Sequence, residues 1–219
     1  LAYMVAGDNA TSNGTFENTI FNDKYPSTNP VTGSSLSPTP FYNKKIDYVS
    51  YQFTSEDLPS VALQRIFVLT TGSTCSASEA FMNGLRGIDI DVIQIGNKTC
   101  GKPYGFYPQD NCGDTYFTIQ FKGVNAKGFG EYSDGFVPKE FPQFSSEVKG
   151  CEVADDYSKA LGDPEEGMFS AALEYMKTES CPVVALSRAT KANDVLQSAS
   201  LNDGLAIKVP NQILKSIIL

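Results

Sequence analysis

The stretch RIFVLTTGSTCSASEAFMNGLRGIDIDVIQIG, residues 65–96, decides the fold of this chain. Its apolar run Arg65–Thr70 is typical of a buried parallel strand, and Val92–Ile95 has the same character. Between them, Ser76–Leu85 has apolar residues at helical spacing, and Gly87 is a stop signal for the helix. Strand, helix and strand within about thirty residues form a βαβ unit with a right-handed crossover. The pattern therefore predicts an α/β fold.

Outside this stretch the signals are weaker. The sequence predicts a short extended piece at Thr15–Asn22 within a long polar loop, a short helix at Glu56–Gln64, and a half-buried alternating strand at Thr115–Phe121. Residues 122–142 are rich in Gly and Pro and are predicted to be a loop. Asp163-Pro164 is typical of a helix start, with the helix continuing to about Thr178.

The composition excludes several classes of protein. A length of 219 residues favours one large domain, and 41 % hydrophobic residues can support a core. The chain contains no histidine, which excludes Ser-His-Asp catalysis, Cys-His catalysis and His-ligated zinc within it. The net charge is −8, and the 17 Lys and Arg residues are scattered, which does not favour nucleic acid as a partner. We expect no metal and no cofactor.

The five cysteines show no Cys-x-x-Cys spacing, which argues against a zinc ribbon or a thioredoxin motif. Cys100 and Cys112 flank a short loop, and Cys151 and Cys181 flank a predicted helix. We therefore predict two disulfides, Cys100–Cys112 and Cys151–Cys181, with Cys75 unpaired, and hence an oxidising compartment. The alternative is that all the cysteines are reduced, packed thiols.

The candidate site is TTGSTCSASE, residues 70–79, where a strand ends, the chain turns and a helix begins near Ser76. Free backbone N–H groups of a first helical turn can stabilise an oxyanion, which favours a nucleophile there. Without histidine the natural base is a lysine, which accepts a proton only when neutral. Lys102 follows the second strand of the βαβ unit. Because parallel neighbours end side by side, we expect Lys102 to meet Ser76 at that edge of the sheet.

Each candidate catalytic residue also has a non-catalytic interpretation. Ser76 and Glu79 also fit a helix capping box, and a lysine in a loop is usually solvated. Ser146–Lys149 is a second Ser-x-x-Lys, but it lacks the companion elements of penicillin-binding enzymes, and we treat it as coincidental. Cys75 has no histidine partner, so a packed thiol is favoured over a nucleophile there.

The segments TGSTCSASEAFMNGLRG (71–87) and DVIQIGNKTCGKP (91–103) resemble the core of the C-terminal processing peptidases, also called tail-specific proteases. Members of this family are serine endopeptidases with a Ser-Lys dyad. The resemblance implies a ClpP/crotonase-like protease core built from βαβ units. It also implies a set of catalytic residues: Ser76 as nucleophile, Lys102 as base, Glu79 in a further catalytic role, and the backbone N–H of Ala77 as half of the oxyanion hole.

Two further segments, 121–128 and 132–136, resemble an envelope-protein branch of the family, which implies a periplasmic or cell-envelope location. The resemblance covers about residues 1–182, which we interpret as the C-terminal part of a protease catalytic domain. Residues 183–219 are interpreted as a C-terminal extension of unknown role. The family's Gly-rich loop, which supplies the other oxyanion donor, its PDZ domain and a signal sequence are expected upstream of Leu1.

One position departs from the family pattern. Many members carry a Gln four residues after the lysine, where it orients the base, and this chain has Phe106 there. Glu79, Gln109 or Asn111 are the candidates for that orienting role.

We predict a serine endopeptidase that cleaves unstructured polypeptides, with the substrate pairing as an added strand beside the site. The first alternative is a non-catalytic protein on the same fold that binds a small apolar ligand or a peptide. The second is a fragment that is inactive on its own. Two observations separate the enzyme from the binding protein: whether Lys102 lies within hydrogen-bond reach of Ser76, and whether a fluorophosphonate labels Ser76. The inactive fragment would fold but have no assembled oxyanion hole.

Overall fold

The computed structural model of the protein describes residues 1–182. Within these residues the helices are α1 (Ala2–Thr11), α2 (Ala77–Gly87) and α3 (Gly167–Thr178). The strands are β1 (Thr15–Ile20), β2 (Thr39–Pro40), β3 (Lys44–Asp47), β4 (Gln52–Asp57), β5 (Arg65–Thr70), β6 (Asp91–Gly96), β7 (Tyr104–Gly105), β8 (Gln109–Asn111), β9 (Asp114–Tyr116), β10 (Phe121–Val124), β11 (Val137–Lys139) and β12 (Glu147–Glu152).

A parallel sheet carries the predicted βαβ unit. Its strand order is β11-β12-β6-β5, and each neighbouring pair is parallel. β5 and β6 pair along their whole length, from Arg65 opposite Asp91 to Thr70 opposite Gly96, and α2 connects them. The prediction of two parallel strands joined by a helix is confirmed. The carboxyl ends of β5 and β6 therefore lie side by side.

A second, antiparallel sheet has the order β2-β1-β10-β7. The extended piece predicted at Thr15–Asn22 is its strand β1. Helix α2 contacts both β1 and β6, so it connects the two sheets. The contact is close: a Cβ on Gly84 of α2 would lie 2.5 Å from the ring of Phe16 in β1. A side chain at this position would force the helix away from the sheet.

The core is divided by the alternation of side chains along β6. Val92 packs in a cluster with Ile66 of β5 and with Met82 and Leu85 of α2. Ile93 and Ile95 pack in another cluster with α3. Successive residues of a strand point to opposite faces of the sheet, so the apolar run of β6 covers both. This buried strand fixes the edge at which the candidate site lies.

The helix predicted over Glu56–Gln64 is wrong. Glu56 and Asp57 end strand β4, and the residues that follow are irregular. Strand β4 pairs antiparallel with β3, and Lys44–Asp57 and Lys45–Glu56 form ion pairs across the two strands. Antiparallel pairing with β3 therefore makes Glu56 and Asp57 part of a strand, and the exposed cross-strand ion pairs add a small stabilisation.

The single strand predicted over Thr115–Phe121 is also wrong. Thr115 lies in β9, whereas Phe121 begins β10 in a different sheet. Phe117 and Ile119, expected on a buried face, are 46 % and 62 % exposed. The alternation of apolar and polar residues therefore spans two separate elements and does not correspond to a single strand. Residues 122–142 are not all loop either, because they include most of β10 and all of β11.

Helix α3 begins later than predicted. Glu166 is its N-cap, and the Glu166 carboxylate accepts hydrogen bonds from the N–H groups of Met168 and Phe169 at 3.0 and 2.8 Å. Asp163 instead accepts from the N–H of Glu165 at 2.9 Å, within the turn that precedes the helix. The predicted end at about Thr178 is confirmed.

Within residues 1–182, no helix has the length and apolar character needed to cross a membrane. The same residues contain no group of three or more Cys, Asp or Glu side chains placed to hold a metal ion. The predicted extension 183–219 lies outside the described residues.

Candidate active site

Ser76 occupies a strained turn between β5 and α2. Its φ is 55° and its ψ is −110°, a positive-φ conformation that costs a non-glycine residue on the order of 1–3 kcal/mol. Helix α2 begins at the next residue, Ala77, so Ser76 is the N-cap of the helix. Ser76 is also exposed. A strained serine on a strand-to-helix turn is the arrangement that presents the nucleophilic hydroxyl in α/β-hydrolases.

Glu79 is fully buried and binds the backbone of both predicted dyad residues. Its Oε2 accepts from the N–H of Ser76 at 2.9 Å and from the N–H of Lys102 at 2.8 Å. The two nitrogens therefore lie no further apart than the sum of these distances. Its Oε1 accepts from Thr99 Oγ1 at 2.6 Å and from the N–H of Gly101 at 2.7 Å. A carboxylate with this many donors is stabilised in a buried position.

The capping-box interpretation is confirmed, because Ser76 and Glu79 form one. The same carboxylate also reaches beyond the helix to the segment that follows β6. Glu79 therefore connects the N terminus of α2 to the chain that carries Lys102. One side chain thus caps helix α2 and also holds the segment that carries Lys102.

Lys102 lies in the irregular segment between β6 and β7, and its side chain is exposed. Its Nζ is 5.6 Å from the centroid of the Phe106 ring, within the range of a cation–π contact. Phe106 packs edge-on against Phe117, with ring centroids 5.2 Å apart. Phe106 thus contacts Lys102 through the face of its ring. Gln109 and Asn111, the other orienting candidates, lie in the exposed strand β8.

The disulfide prediction is confirmed for Cys151–Cys181, whose Cα atoms are 5.5 Å apart. The pair Cys100–Cys112 is wrong. Cys100 is bonded to Cys75, with Cα atoms 5.3 Å apart, and Cys112 is a free, exposed cysteine. The reason is topological, because Cys75 and Cys100 follow the adjacent carboxyl ends of β5 and β6. Cys112 lies instead in the tight turn between β8 and β9.

Ala77 is the first residue of α2 and is exposed. The N–H of a first helical residue has no acceptor inside its own helix. An oxygen that develops negative charge beside Ser76 would find this donor and the positive end of the helix dipole. The structure therefore leaves the Ala77 N–H without an acceptor inside its helix, as the predicted oxyanion role requires.

Sequence reasoning missed Thr99. Its side chain is 2 % exposed, donates to Glu79, and accepts from the N–H of Phe136 at 2.7 Å. Thr99 thus connects the carboxylate to the segment before β11. The signal was present, because Thr99 is a polar residue placed just past the carboxyl end of a buried strand, where ligand-binding groups gather.

Tyr132 is the other ionisable neighbour of Glu79. Burial raises the pKa of the Tyr132 phenol, and the nearby carboxylates of Glu17 and Glu79 add to that rise. The phenol is therefore protonated at neutral pH and does not act as a base there.

The fold is similar to that of a solved protein. A crystal structure of a "Putative S41 protease" from Bacteroides fragilis NCTC 9343 matches with a TM-score of 0.58 and 22 % sequence identity, over 82 % of this chain. This chain spans only 40 % of the length of that protein's chain. No family model matches the sequence, and no curated protein matches it. The similarity establishes a shared mixed α/β fold.

Proposed function

We propose that this chain carries the Ser-Lys site of a serine endopeptidase of the C-terminal processing type. The observation that supports this most is the Glu79 carboxylate, whose Oε2 binds the backbone of both Ser76 and Lys102. The strained conformation of Ser76 and the resemblance of its motif to the family add support. The fold is also shared with a protein named as an S41 protease, which favours proteolysis.

In this proposal the Oγ of Ser76 attacks the carbonyl carbon of a peptide bond. The amine of Lys102 takes the hydroxyl proton and returns it to the leaving amine, and water then hydrolyses the acyl-enzyme. The N–H of Ala77 donates to the oxyanion. Glu79 acts by holding the backbone of Ser76 and the backbone of Lys102 close to each other.

The exposed position of Lys102 fits a site that substrate completes. A lysine acts as a base only when neutral, and a polypeptide lying over Lys102 would exclude water from its amine. In the structure the Lys102 amine lies over the face of the Phe106 ring. Phe106, at the position of the orienting Gln of other members, is the residue whose ring contacts the Lys102 amine.

We further propose that residues 1–182 are the C-terminal part of a ClpP/crotonase-like catalytic domain. The Gly-rich loop that gives the second oxyanion donor, and the PDZ domain, would lie in other parts of the same protein. The disulfides Cys75–Cys100 and Cys151–Cys181 fit an oxidising compartment, so we propose a periplasmic or cell-envelope location.

The test is a comparison of the wild-type chain with Ser76→Ala, Lys102→Arg and the control Lys98→Arg. Lys98 is an exposed lysine in the same segment. Arginine keeps its proton at every accessible pH, so Lys102→Arg removes the base while keeping the charge. We expect Lys102→Arg to slow fluorophosphonate labelling of Ser76 by about 100-fold or more, and Lys98→Arg to leave it unchanged. Ser76→Ala should abolish labelling.

A Lys102→Arg chain that labels at the wild-type rate would show that the Ser-Lys mechanism is wrong. A wild-type chain whose Ser76 does not label, but which binds unfolded polypeptide in a titration, would favour the binding-protein class instead. Peptide mapping of the labelled site separates Ser76 from its neighbour Ser78.

A further inference from the structure

The Cys75–Cys100 disulfide joins the two segments that carry the predicted dyad. Cys75 immediately precedes Ser76, and Cys100 lies two residues before Lys102. The N–H of Cys100 also donates to the carbonyl oxygen of Thr74 at 3.0 Å, so a backbone hydrogen bond runs beside the covalent bond. The nucleophile turn and the base segment are therefore tied together next to the reacting groups.

We propose that this disulfide is a positioning pair for the dyad, an inference that rests on the proposed function. The base segment is irregular from Asn97 to Pro103 and has no strand pairing of its own. Partly buried hydrogen bonds from Gly101 and Lys102 to Glu79, and the bonds of Thr99, hold the segment on one side, and the disulfide holds it on the other. Loss of the disulfide would let Lys102 move relative to Ser76. A misplacement of about 1 Å at a reacting group costs on the order of 100-fold in rate.

The two disulfides differ in their access to solvent. Cys75 and Cys181 are both half-buried, but Cys100 is exposed, whereas Cys151 is 2 % exposed and lies in the core beside α3. A thiolate must reach a sulfur atom to open a disulfide, so accessible disulfides exchange first. A reductant should therefore open Cys75–Cys100 before it opens Cys151–Cys181.

The reaction is a two-electron exchange with a dithiol such as dithiothreitol. A thiolate of the reductant attacks one sulfur of Cys75–Cys100, the S–S bond breaks, and a mixed disulfide forms. The second thiol of the reductant closes its own ring and releases the pair as two thiols, with the reductant oxidised to a cyclic disulfide. Removal of the dithiol and exposure to oxidised glutathione reverse the step.

The experiment measures the rate of fluorophosphonate labelling of Ser76 in a Cys112→Ser background, which removes the free thiol and prevents reshuffling. In that background Cys75→Ser/Cys100→Ser is compared with the matched control Cys151→Ser/Cys181→Ser. We expect the Cys75→Ser/Cys100→Ser variant to label about 10- to 100-fold more slowly than the background. The control variant should label within about twofold of the background rate, although both variants should have a lower melting temperature. Brief treatment with dithiothreitol should reproduce the slow rate, and reoxidation should restore it.

Amide hydrogen exchange at Ser76, Gly101 and Lys102 gives a readout that does not depend on catalysis. Opening of Cys75–Cys100 should raise exchange at Gly101 and Lys102 while the strand amides of β6 stay protected. Equal labelling rates in the two double variants, or unchanged exchange at these amides, would overturn the positioning role. If wild-type Ser76 does not label at all, the proposed function fails, and the exchange result alone then decides whether the disulfide holds the segment.

Discussion

At the scale of single residues, the site depends on one buried carboxylate. Glu79 lies at 0 % exposure, and each of its oxygens accepts two hydrogen bonds from groups on the edge of the parallel sheet. A buried charge is costly unless such donors surround it. The Glu79 carboxylate therefore favours one arrangement of the Ser76 turn and of the Lys102 segment. In other arrangements the carboxylate and its N–H and O–H donors would lose their hydrogen bonds.

We predict that Glu79→Gln lowers the free energy of unfolding by about 2–3 kcal/mol. The amide keeps one acceptor oxygen but turns an NH2 group toward N–H donors, so buried partners lose their acceptor. The control is Glu56→Gln, which removes only an exposed ion pair with Lys45 and should cost less than about 1 kcal/mol. Urea denaturation of both variants measures the two losses of stability. Equal losses would contradict a stabilising role for the hydrogen bonds of Glu79.

Tyr175 gives a second prediction at this scale, of opposite sign. Its side chain is 1 % exposed, and its hydroxyl has no hydrogen-bond partner within the described residues. Tyr175→Phe should therefore raise the free energy of unfolding by about 1 kcal/mol. Tyr3→Phe is the matched control, because the Tyr3 hydroxyl donates to Asp8 at 2.8 Å and its loss should destabilise. A Tyr175→Phe variant less stable than wild type would show that the hydroxyl is satisfied.

At the scale of elements, the βαβ unit could be predicted because its signals are local. The apolar runs of β5 and β6 and the stripe of α2 lie within one short segment. The parallel ends of the strands then place Ser76 near Lys102 without further information. Elements that depend on partners outside their own segment could not be predicted in this way: β4 forms by pairing with β3, and Thr115–Phe121 divides between two sheets.

The parallel pairing of β12 with β6 leads to a prediction at this scale. Gly150 of β12 has a φ of 151°, and a Cβ there would lie 1.8 Å from the carbonyl oxygen of Gln94 in β6. Gly150→Ala should therefore destabilise the chain by about 3 kcal/mol or more, because backbone and not a flexible side chain stands in the way. Gly72→Ala, where nothing lies within 4 Å, should stay within about 1 kcal/mol of wild type. Thermal denaturation of the two variants measures the difference.

At the scale of the whole molecule, the sheets and the disulfides act on the same edge. Helix α2 contacts the antiparallel sheet through β1 and the parallel sheet through β6, and its N terminus carries the site. The disulfide at that end could not be predicted from loop length, because the shortest loop between cysteines, Cys100 to Cys112, is not the one closed. Strand order brings Cys75 to Cys100 across a separation of 25 residues. Covalent connectivity therefore follows the fold.

The last prediction concerns the thiol count of the whole chain. Of its five cysteines, four are paired, so the denatured, unreduced chain should take up a single alkyl group from iodoacetamide, on Cys112. Reduction before alkylation should raise the count to five. The chain-entropy model gives each disulfide about 3–4 kcal/mol of stability for loops of this size, so the reduced chain should also unfold at lower urea concentration. Mass spectrometry with peptide mapping locates the group. Alkylation of Cys75 in the unreduced chain would mean that Cys75 and Cys100 are not bonded, and the covalent link between the turn that carries Ser76 and the segment that carries Lys102 would then be absent.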